Sequence, residues 1–270
     1  MFEEVAGNDG KTVRGTAEWA VATVDCGIGC PHGCLYCYAR AKQVDRLGLA
    51  SREEWQTFRV DQQALRRGYP LFPGQVMFPA SHDITPENLA ACLTVLTSLL
   101  AAGNRLLVVS KPHSACIETL CRELARYRGQ VLFRFTITAR DDRILRFWEP
   151  AAPSYGERRY CLGLAADRGF ATSVSVEPML DSADVAAMVH ELLPVVSHSL
   201  WIGKMNRIQE RVRCQSPAME REIARIERGQ DDASILKIYE QLRDLPVIRW
   251  KESIKAVVGI AAAAEPGLDI

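Results

Sequence analysis

Cys30, Cys34 and Cys37 stand in a C-x3-C-x2-C arrangement within the run Asp25-Cys26-Gly27-Ile28-Gly29-Cys30-Pro31-His32-Gly33-Cys34-Leu35-Tyr36-Cys37-Tyr38-Ala39-Arg40. Thiolates this close on a glycine-containing loop can converge on one metal centre, and soft sulfur ligands favour zinc, copper or iron–sulfur clusters. A zinc site normally pairs its cysteines as knuckles and repeats the pair downstream; no second pair follows in this chain. Three cysteines suit a 4Fe–4S cluster with one iron left open to a small molecule, whereas electron-carrying clusters take four. Cys26 leaves another reading open: as a fourth ligand it would close the cluster, and otherwise it ends a strand as a small packing residue.

Such a loop needs a rigid support. Glu18 to Val24 reads as a strand that delivers it, and Tyr38 to Leu47 as a helix that leaves it, stopped near Gly48. Ser51 to Tyr69 is charged and helical or irregular, with Arg59, Arg66 and Arg67 on a solvated face. From Gln75 the chain alternates. Strands are expected at Gln75–Phe78, Arg105–Ser110, Val131–Thr138, Ala171–Glu177 and Ser199–Gly203. Helices are expected from Thr85 to Ala102, Ser114 to Tyr127, Ser154 to Arg168 (opened by the capping box Ser154-Tyr155-Gly156-Glu157) and Ser182 to Leu193. This alternation signals a parallel sheet with right-handed crossovers. The fold class is α/β, a partial (β/α)6 TIM-type barrel, followed by helices near Pro217–Arg228 and Asp232–Arg243 and a strand-like Val247–Trp250. Residues 1–17 read as an N-terminal arm, 18–205 as the barrel core, and 206–270 as a helical C-terminal extension completing the same domain. Within the arm, Gly7 to Thr12 lacks the first glycine of a phosphate loop and reads as a solvated turn.

In parallel barrels the working residues gather at the carboxyl ends of the strands. Those ends carry the cysteines, Ser81-His82-Asp83, Ser110-Lys111-Pro112-His113, Thr136 with Thr138 and Arg140, Ser175 with Glu177, and Lys204 with Asn206 and Arg207. Lys111 can bind an anion or cap a helix, and Glu177 can meet a ligand or serve as a structural barrel carboxylate. His82 and His113 read as groups flanking the site or facing solvent rather than as metal ligands.

The cysteine spacing, with an aromatic residue before the third cysteine, resembles the radical S-adenosylmethionine superfamily. The longer string Cys-Pro-His-Gly-Cys-Leu-Tyr-Cys-Tyr-Ala-Arg resembles its spore photoproduct lyase-like branch, as do Val-Val-Ser-Lys-Pro, Arg-Phe-Thr-Ile-Thr and Ser-Val-Glu-Pro further on. The resemblance covers about residues 20 to 205. It implies a 4Fe–4S cluster on Cys30, Cys34 and Cys37, with S-adenosylmethionine on the open iron. It also implies reductive cleavage to a 5′-deoxyadenosyl radical that abstracts hydrogen from a substrate, and a reductant such as flavodoxin or ferredoxin. It places Tyr36, Ser81, Asp83, Lys111, Thr136 and Glu177 around the cofactor, with Lys111 on its carboxylate and Thr136 at a serine position. The glycine–glycine–glutamate element of many members is replaced here by Pro79-Ala80-Ser81-His82-Asp83. Cys214, after the sixth strand, would return a hydrogen atom to a product radical, as a cysteine does in the lyase, or is a surface loop cysteine.

Composition narrows the setting. The 33 basic and 33 acidic residues give zero net charge, which argues against a broadly salt-driven nucleic-acid binder but leaves a local basic groove open. Arg140, Arg207, Arg211 and Arg213 are the arginines placed to line such a mouth. The substrate is therefore a nucleic acid, a peptide or a small molecule. No apolar run reaches the ~18–20 residues that cross a bilayer, and the Met1-Phe2-Glu3-Glu4 start is no signal peptide. Nine cysteines without a disulfide-rich pattern fit reduced thiols in the cytoplasm. An alternative of another class is a non-catalytic iron–sulfur redox or binding protein whose cluster Cys26 closes.

Overall fold

The computed structural model describes the backbone of residues 2–4 and the whole of residues 13–267; the turn expected over Gly7 to Thr12 lies outside the described residues. The strands are β1 Phe2–Glu4, β2 Ala22–Val24, β3 Gly27–Ile28, β4 Arg59–Val60, β5 Val76–Phe78, β6 Leu106–Ser110, β7 Val131–Thr136, β8 Ala171–Val176, β9 Ser199–Ile202 and β10 Ile248–Trp250. The helices are α1 Tyr38–Arg40 (continued by π-helical Ala41–Arg46), α2 Gln62–Arg66, α3 Leu89–Ala101, α4 Ser114–Glu123, α5 Asp142–Trp148, α6 Tyr155–Asp167, α7 Val185–Leu192, α8 Ile208–Arg211, α9 Pro217–Gly229, α10 Asp232–Leu242 and α11 Glu252–Val258.

β2, β5, β6, β7, β8, β9 and β10 are parallel neighbours in that order, and β1 adds antiparallel to β2. The α/β partial barrel expected from the alternation is what forms. It has seven parallel strands instead of six, because Ile248 and Trp250 bury one face and pair with Leu200 and Ile202 of β9. Three short helices, α5, α8 and α11, escaped the sequence reading; at 7, 4 and 7 residues they are too short to display a helical period.

Side-chain alternation sorts the sheet into two faces. Val76, Phe78, Leu106, Val108, Phe133, Phe135, Val174 and Ile202 point outward and pack under α3, α4, α6 and α7 in one core. Met77, Leu107, Leu132 and Trp201 point inward and meet Trp19 and Ala20, which plug the barrel floor. Arg134 lies in that inner layer, donating to Ser173 Oγ (2.9 Å) and Ser199 Oγ (3.2 Å) with its guanidinium over the Trp19 and Trp201 rings. The expected first strand forms only over Ala22–Val24, and its first residue, Glu18, closes the 3₁₀ turn Gly15–Glu18. It is pinned by the fully buried Lys251, whose Nζ donates to Gly15 O (2.7 Å), pairs with Glu18 (2.5 Å) and lies 3.5 Å from Glu177. That ammonium ties the segment entering β2 to the ends of β8 and β10.

Candidate metal and cofactor site

The cysteine loop leaves β2 at its carboxyl end and is braced on two sides. On one side, Gly27–Ile28 pairs with Arg59–Val60, Asp61 N donates to Cys26 O (2.9 Å), and Cys30 N donates to Trp55 O (2.7 Å). Gly29, at φ 106°, is required there, because a Cβ would stand 2.4 Å from Thr57 O. Arg59 and Arg66 of this segment are exposed as expected, while its Trp55 is buried beside Cys30 and Ala39. On the other side, Leu35 N donates to Trp148 O (2.9 Å) and Ala151 N to His32 O (3.2 Å). The Arg40 guanidinium donates to Cys34 O (3.0 Å) and Leu35 O (2.9 Å), folding the loop back on α1.

Cys30 and Cys34 are buried and Cys37 is half-buried. Burial, then Asp83, pushes the Cys30 thiol up to about 12. Burial also raises Cys34 well above its ordinary value, and both neighbouring thiols add to that rise. The three are close enough to feel one another's charge. They do not form a set with all sulfurs within 4.8 Å; among the described residues Cys30, His32 and Asp83 make such a set. A single tetrahedral ion brings its ligand atoms within about 4 Å of one another. Cys30, His32 and Asp83 have the reach for one ion.

Cys26 is turned elsewhere. Its sulfur lies 3.6 Å from Cys92 Sγ and 3.6 Å from His82 Nε2, inside the outer core. The Cys92 hydrogen bond, aided by His82, draws its pKa down to about 6 against the effect of burial.

Asp83 is the hub of the site. Its Oδ1 accepts from Lys111 N (2.6 Å) and Ser110 Oγ (3.1 Å). Its Oδ2 accepts from His32 Nδ1 (2.8 Å) and lies 3.6 Å from Lys111 Nζ and 3.9 Å from Cys30 Sγ. Burial alone would raise this carboxyl, but Lys111 and His32 hold it well below the usual range. Burial likewise works against the Lys111 charge, and Asp83, Cys34 and Tyr36 together hold its pKa well above normal. Lys111 Nζ lies 5.8 Å from the Tyr36 ring centroid.

Tyr36 is anchored from below. Its hydroxyl donates to Glu149 Oε1, which also accepts from Thr138 Oγ1 (2.8 Å), and the Arg158 guanidinium pairs with the other carboxylate oxygen. Arg158 and Glu149 are both fully buried. Arg158 also donates to Pro153 O (2.8 Å) and Thr136 O (3.3 Å), so α6 is locked to the end of β7.

The structure therefore brings Cys30, Cys34, Tyr36, Asp83 and Lys111 together. Thr136 shares the inner face of β7 with Leu132 and Arg134, above the plugged floor. Ser81 holds the loop by donating its N–H to Asp25 Oδ1 (2.9 Å), while its buried hydroxyl meets no hydrogen-bond partner among the described residues. Glu177 is engaged by Lys251, and burial raises its pKa. Cys214 is exposed on the loop between α8 and α9 and donates to Ser216 O. Of the four arginines placed at the mouth, Arg140 is locked to Asp184 and Glu191, and Arg213 pairs with Asp45 (3.7 Å). His32, Asp25, Glu149 and Arg158 escaped the sequence reading. Two of them carried a signal: His32 lies inside the cysteine string, and Glu149-Pro150 is part of the lyase-like resemblance.

Beside the loop lies a cavity of about 300 Å³, walled by Ile28, Tyr38, Leu47, Leu49 and Val60 and reaching Ser81 at its inner end. The Tyr38 hydroxyl donates to Ala80 O across that end.

No protein-family model matches the chain. It is 24% identical over 184 residues to the uncharacterised protein ORF301 of Acidianus two-tailed virus, a match covering 64% of this chain and 60% of that protein's length. Among solved structures it is similar to a spore photoproduct lyase variant with bound AdoMet and dinucleoside spore photoproduct, with a TM-score of 0.56 at 15% identity over 86% of this chain and 76% of that one. Spore photoproduct lyase complexed with dinucleoside spore photoproduct gives 0.55 at 15% identity, and another lyase variant 0.54 at 18%, with the same coverage. At the level of the fold, the resemblance carried by the cysteine string holds: the chain has the architecture of spore photoproduct lyase.

Proposed function

We propose that this chain is a radical S-adenosylmethionine enzyme with a 4Fe–4S cluster on Cys30, Cys34 and Cys37. The observation that carries the reading is the meeting of the cysteine loop with the Asp83–Lys111 pair at the carboxyl ends of a parallel partial barrel. Such a site offers soft sulfur to iron and opposite charges to an amino acid's two ends. When bound, the reduced cluster and S-adenosylmethionine supply a 5′-deoxyadenosyl radical that abstracts hydrogen from substrate, and a flavodoxin- or ferredoxin-type protein supplies the electron.

The chain's own residues bind and orient. The Lys111 ammonium meets the cofactor carboxylate, and Asp83 with its fixed negative charge meets the ammonium. Tyr36, tethered through its hydroxyl to Glu149, presents its ring to the cofactor. Ser81 has a buried hydroxyl in want of a partner, which a ribose or amino group would satisfy. Thr136 and Glu177 line the mouth from β7 and β8. Cys214 is the candidate hydrogen-atom donor on the substrate side. The position of Cys26, bonded to Cys92 and His82, speaks for an open iron and against a closed redox cluster. Free thiols throughout suit a cytoplasmic setting.

For the substrate we favour a nucleic acid, since the similar solved structures hold a dinucleoside lesion. The cavity of about 300 Å³ favours a second reading, a small molecule or a peptide side chain, because its size lies at the low end for small-molecule sites.

Anaerobic reconstitution of each Cys→Ala variant tests the proposal. Cys30, Cys34 and Cys37 variants should lose iron and sulfide, Cys26→Ala should keep them, and the reduced wild type should form 5′-deoxyadenosine. Equal iron loss in Cys26→Ala, or no 5′-deoxyadenosine from the wild type, overturns it.

A further inference from the structure

His113 sits before the first turn of α4, half-buried, with its Nε2 2.9 Å from Nε2 of His32. His32 is 1% exposed, and its other nitrogen, Nδ1, is 2.8 Å from Asp83 Oδ2. The Asp83 carboxylate can only accept, so Nδ1 of His32 carries the proton in that bond. In a neutral His32, Nε2 is then a lone pair, and the proton between the two rings belongs to His113. With His32 neutral, the chain runs from His113 Nε2–H to His32 Nε2 and from His32 Nδ1–H to Asp83 Oδ2.

We propose that His113 is a positioning residue that acts through His32 to fix the Asp83 carboxylate beside Lys111. This rests on the reading of Asp83 as a cofactor contact. Asp83 sets the His32 tautomer, and the hydrogen bond between His113 and the far nitrogen holds the ring in the orientation that keeps Nδ1–H on Asp83. His32 bonds Asp83 Oδ2, the oxygen that also lies nearest Cys30 Sγ and Lys111 Nζ, and so fixes the edge of the carboxylate that faces them. Without His113, the far edge of the His32 ring loses its partner and Nδ1–H can swing off Asp83.

Two measurements test this on the full chain. In iron-free protein labelled with ¹⁵N-histidine, His32 should be the Nδ1–H tautomer with a hydrogen bond to Asp83 that weakens in His113→Leu; a wild-type Nε2–H form, or an unweakened bond in the variant, overturns the proposal without involving S-adenosylmethionine. In reconstituted protein, His113→Leu should weaken S-adenosylmethionine binding about three- to tenfold by calorimetry, with iron content unchanged and partial rescue by His113→Gln, whose amide can donate. In a His32→Asn background, whose amide still reaches Asp83, His113→Leu should add nothing, since coupled residues are not additive. Additive losses, or loss of iron in His113→Leu, would make His113 an ordinary structural residue. If the wild type fails to bind S-adenosylmethionine while the tautomer result holds, the cofactor reading fails and the positioning chain stands.

Discussion

A buried ammonium persists only where counter-charges replace its lost water. Lys111 has that in Asp83 at 3.6 Å, with the Tyr36 ring beneath it. A cation meeting a carboxylate in a partly dry site contributes about 1.5–3 kcal/mol, so Lys111→Ala should weaken S-adenosylmethionine binding about tenfold or more. Iron content should not change, because Lys111 is no ligand; unaltered affinity by calorimetry would make it a structural partner of Asp83 alone. The Glu149–Arg158 pair is a different case. Both groups are fully buried, so removing one leaves the other charged and dry. Arg158→Met should cost about 3–5 kcal/mol in urea unfolding, and Glu149→Gln added to it should recover part of the loss. A cost below about 1 kcal/mol would mean that water reaches Glu149. The cysteines and Lys111 were legible in the sequence because spacing and strand-end position carry the signal. Glu149 and His32 were not, because each acquires its role from partners far along the chain: Glu149 lies 113 residues from Tyr36, and His32 lies 81 from His113 and 51 from Asp83.

The elements divide along the same line. Buried strands announce themselves as apolar runs, and all six expected ones stand within a few residues of their expected bounds. The 3₁₀ turn Gly15–Glu18 could not be foreseen, since Lys251, which holds it, is 236 residues from Gly15. The capping box at α6 is half made: Ser154 Oγ accepts from Glu157 N (3.2 Å), but the Glu157 carboxylate turns to Ser114 N (2.8 Å) and holds α4. The helix expected from Thr85 begins at Leu89, because Asn88 Oδ1 accepts from Thr85 N (2.9 Å) and makes a turn first. The junction at Lys251 carries its own pH signature. Burial, opposed by Lys251 and aided by Glu252, pushes Glu18 from its ordinary 4.5 up to about 8. Between those values the folded chain holds a proton that the unfolded chain has released, so this carboxyl makes stability fall as pH rises. Relative to Glu18→Gln, the wild type should therefore lose ground steadily from pH 5 to pH 8 in urea titrations. A constant difference across that range would mean that Glu18 is ionised beside Lys251 throughout.

At the scale of the molecule the open question is what enters the mouth. No helix among the described residues is long and apolar enough to cross a membrane. Zero net charge means that any attraction for a phosphate backbone must be local. Arg140 is held by two carboxylates and Arg213 by Asp45, which leaves Arg207 and Arg211 as the mouth's available cations from the four. Arg207 is largely exposed, with Glu210 at 3.8 Å, a pairing that water makes weak. Arg211 is half-buried near Glu177, and burial lowers its pKa. Two neutralised phosphates give a slope of log affinity on log salt of about −1.4 to −1.8, far shallower than that of dedicated DNA binders. Titrating irradiated and intact DNA at two salt concentrations should therefore yield weak binding with that slope, and tighter binding to irradiated strands if a lesion fills the cavity of about 300 Å³ beside the cysteine loop. Arg207→Ala should reduce the slope by nearly half. A slope of about −2.8 to −3.6 would require Arg140 and Arg213 to abandon their carboxylates on binding. No salt-sensitive binding at low ionic strength would turn the mouth over to a peptide or a small molecule, the ligands that a neutral surface and a cavity of this size admit without phosphate contacts.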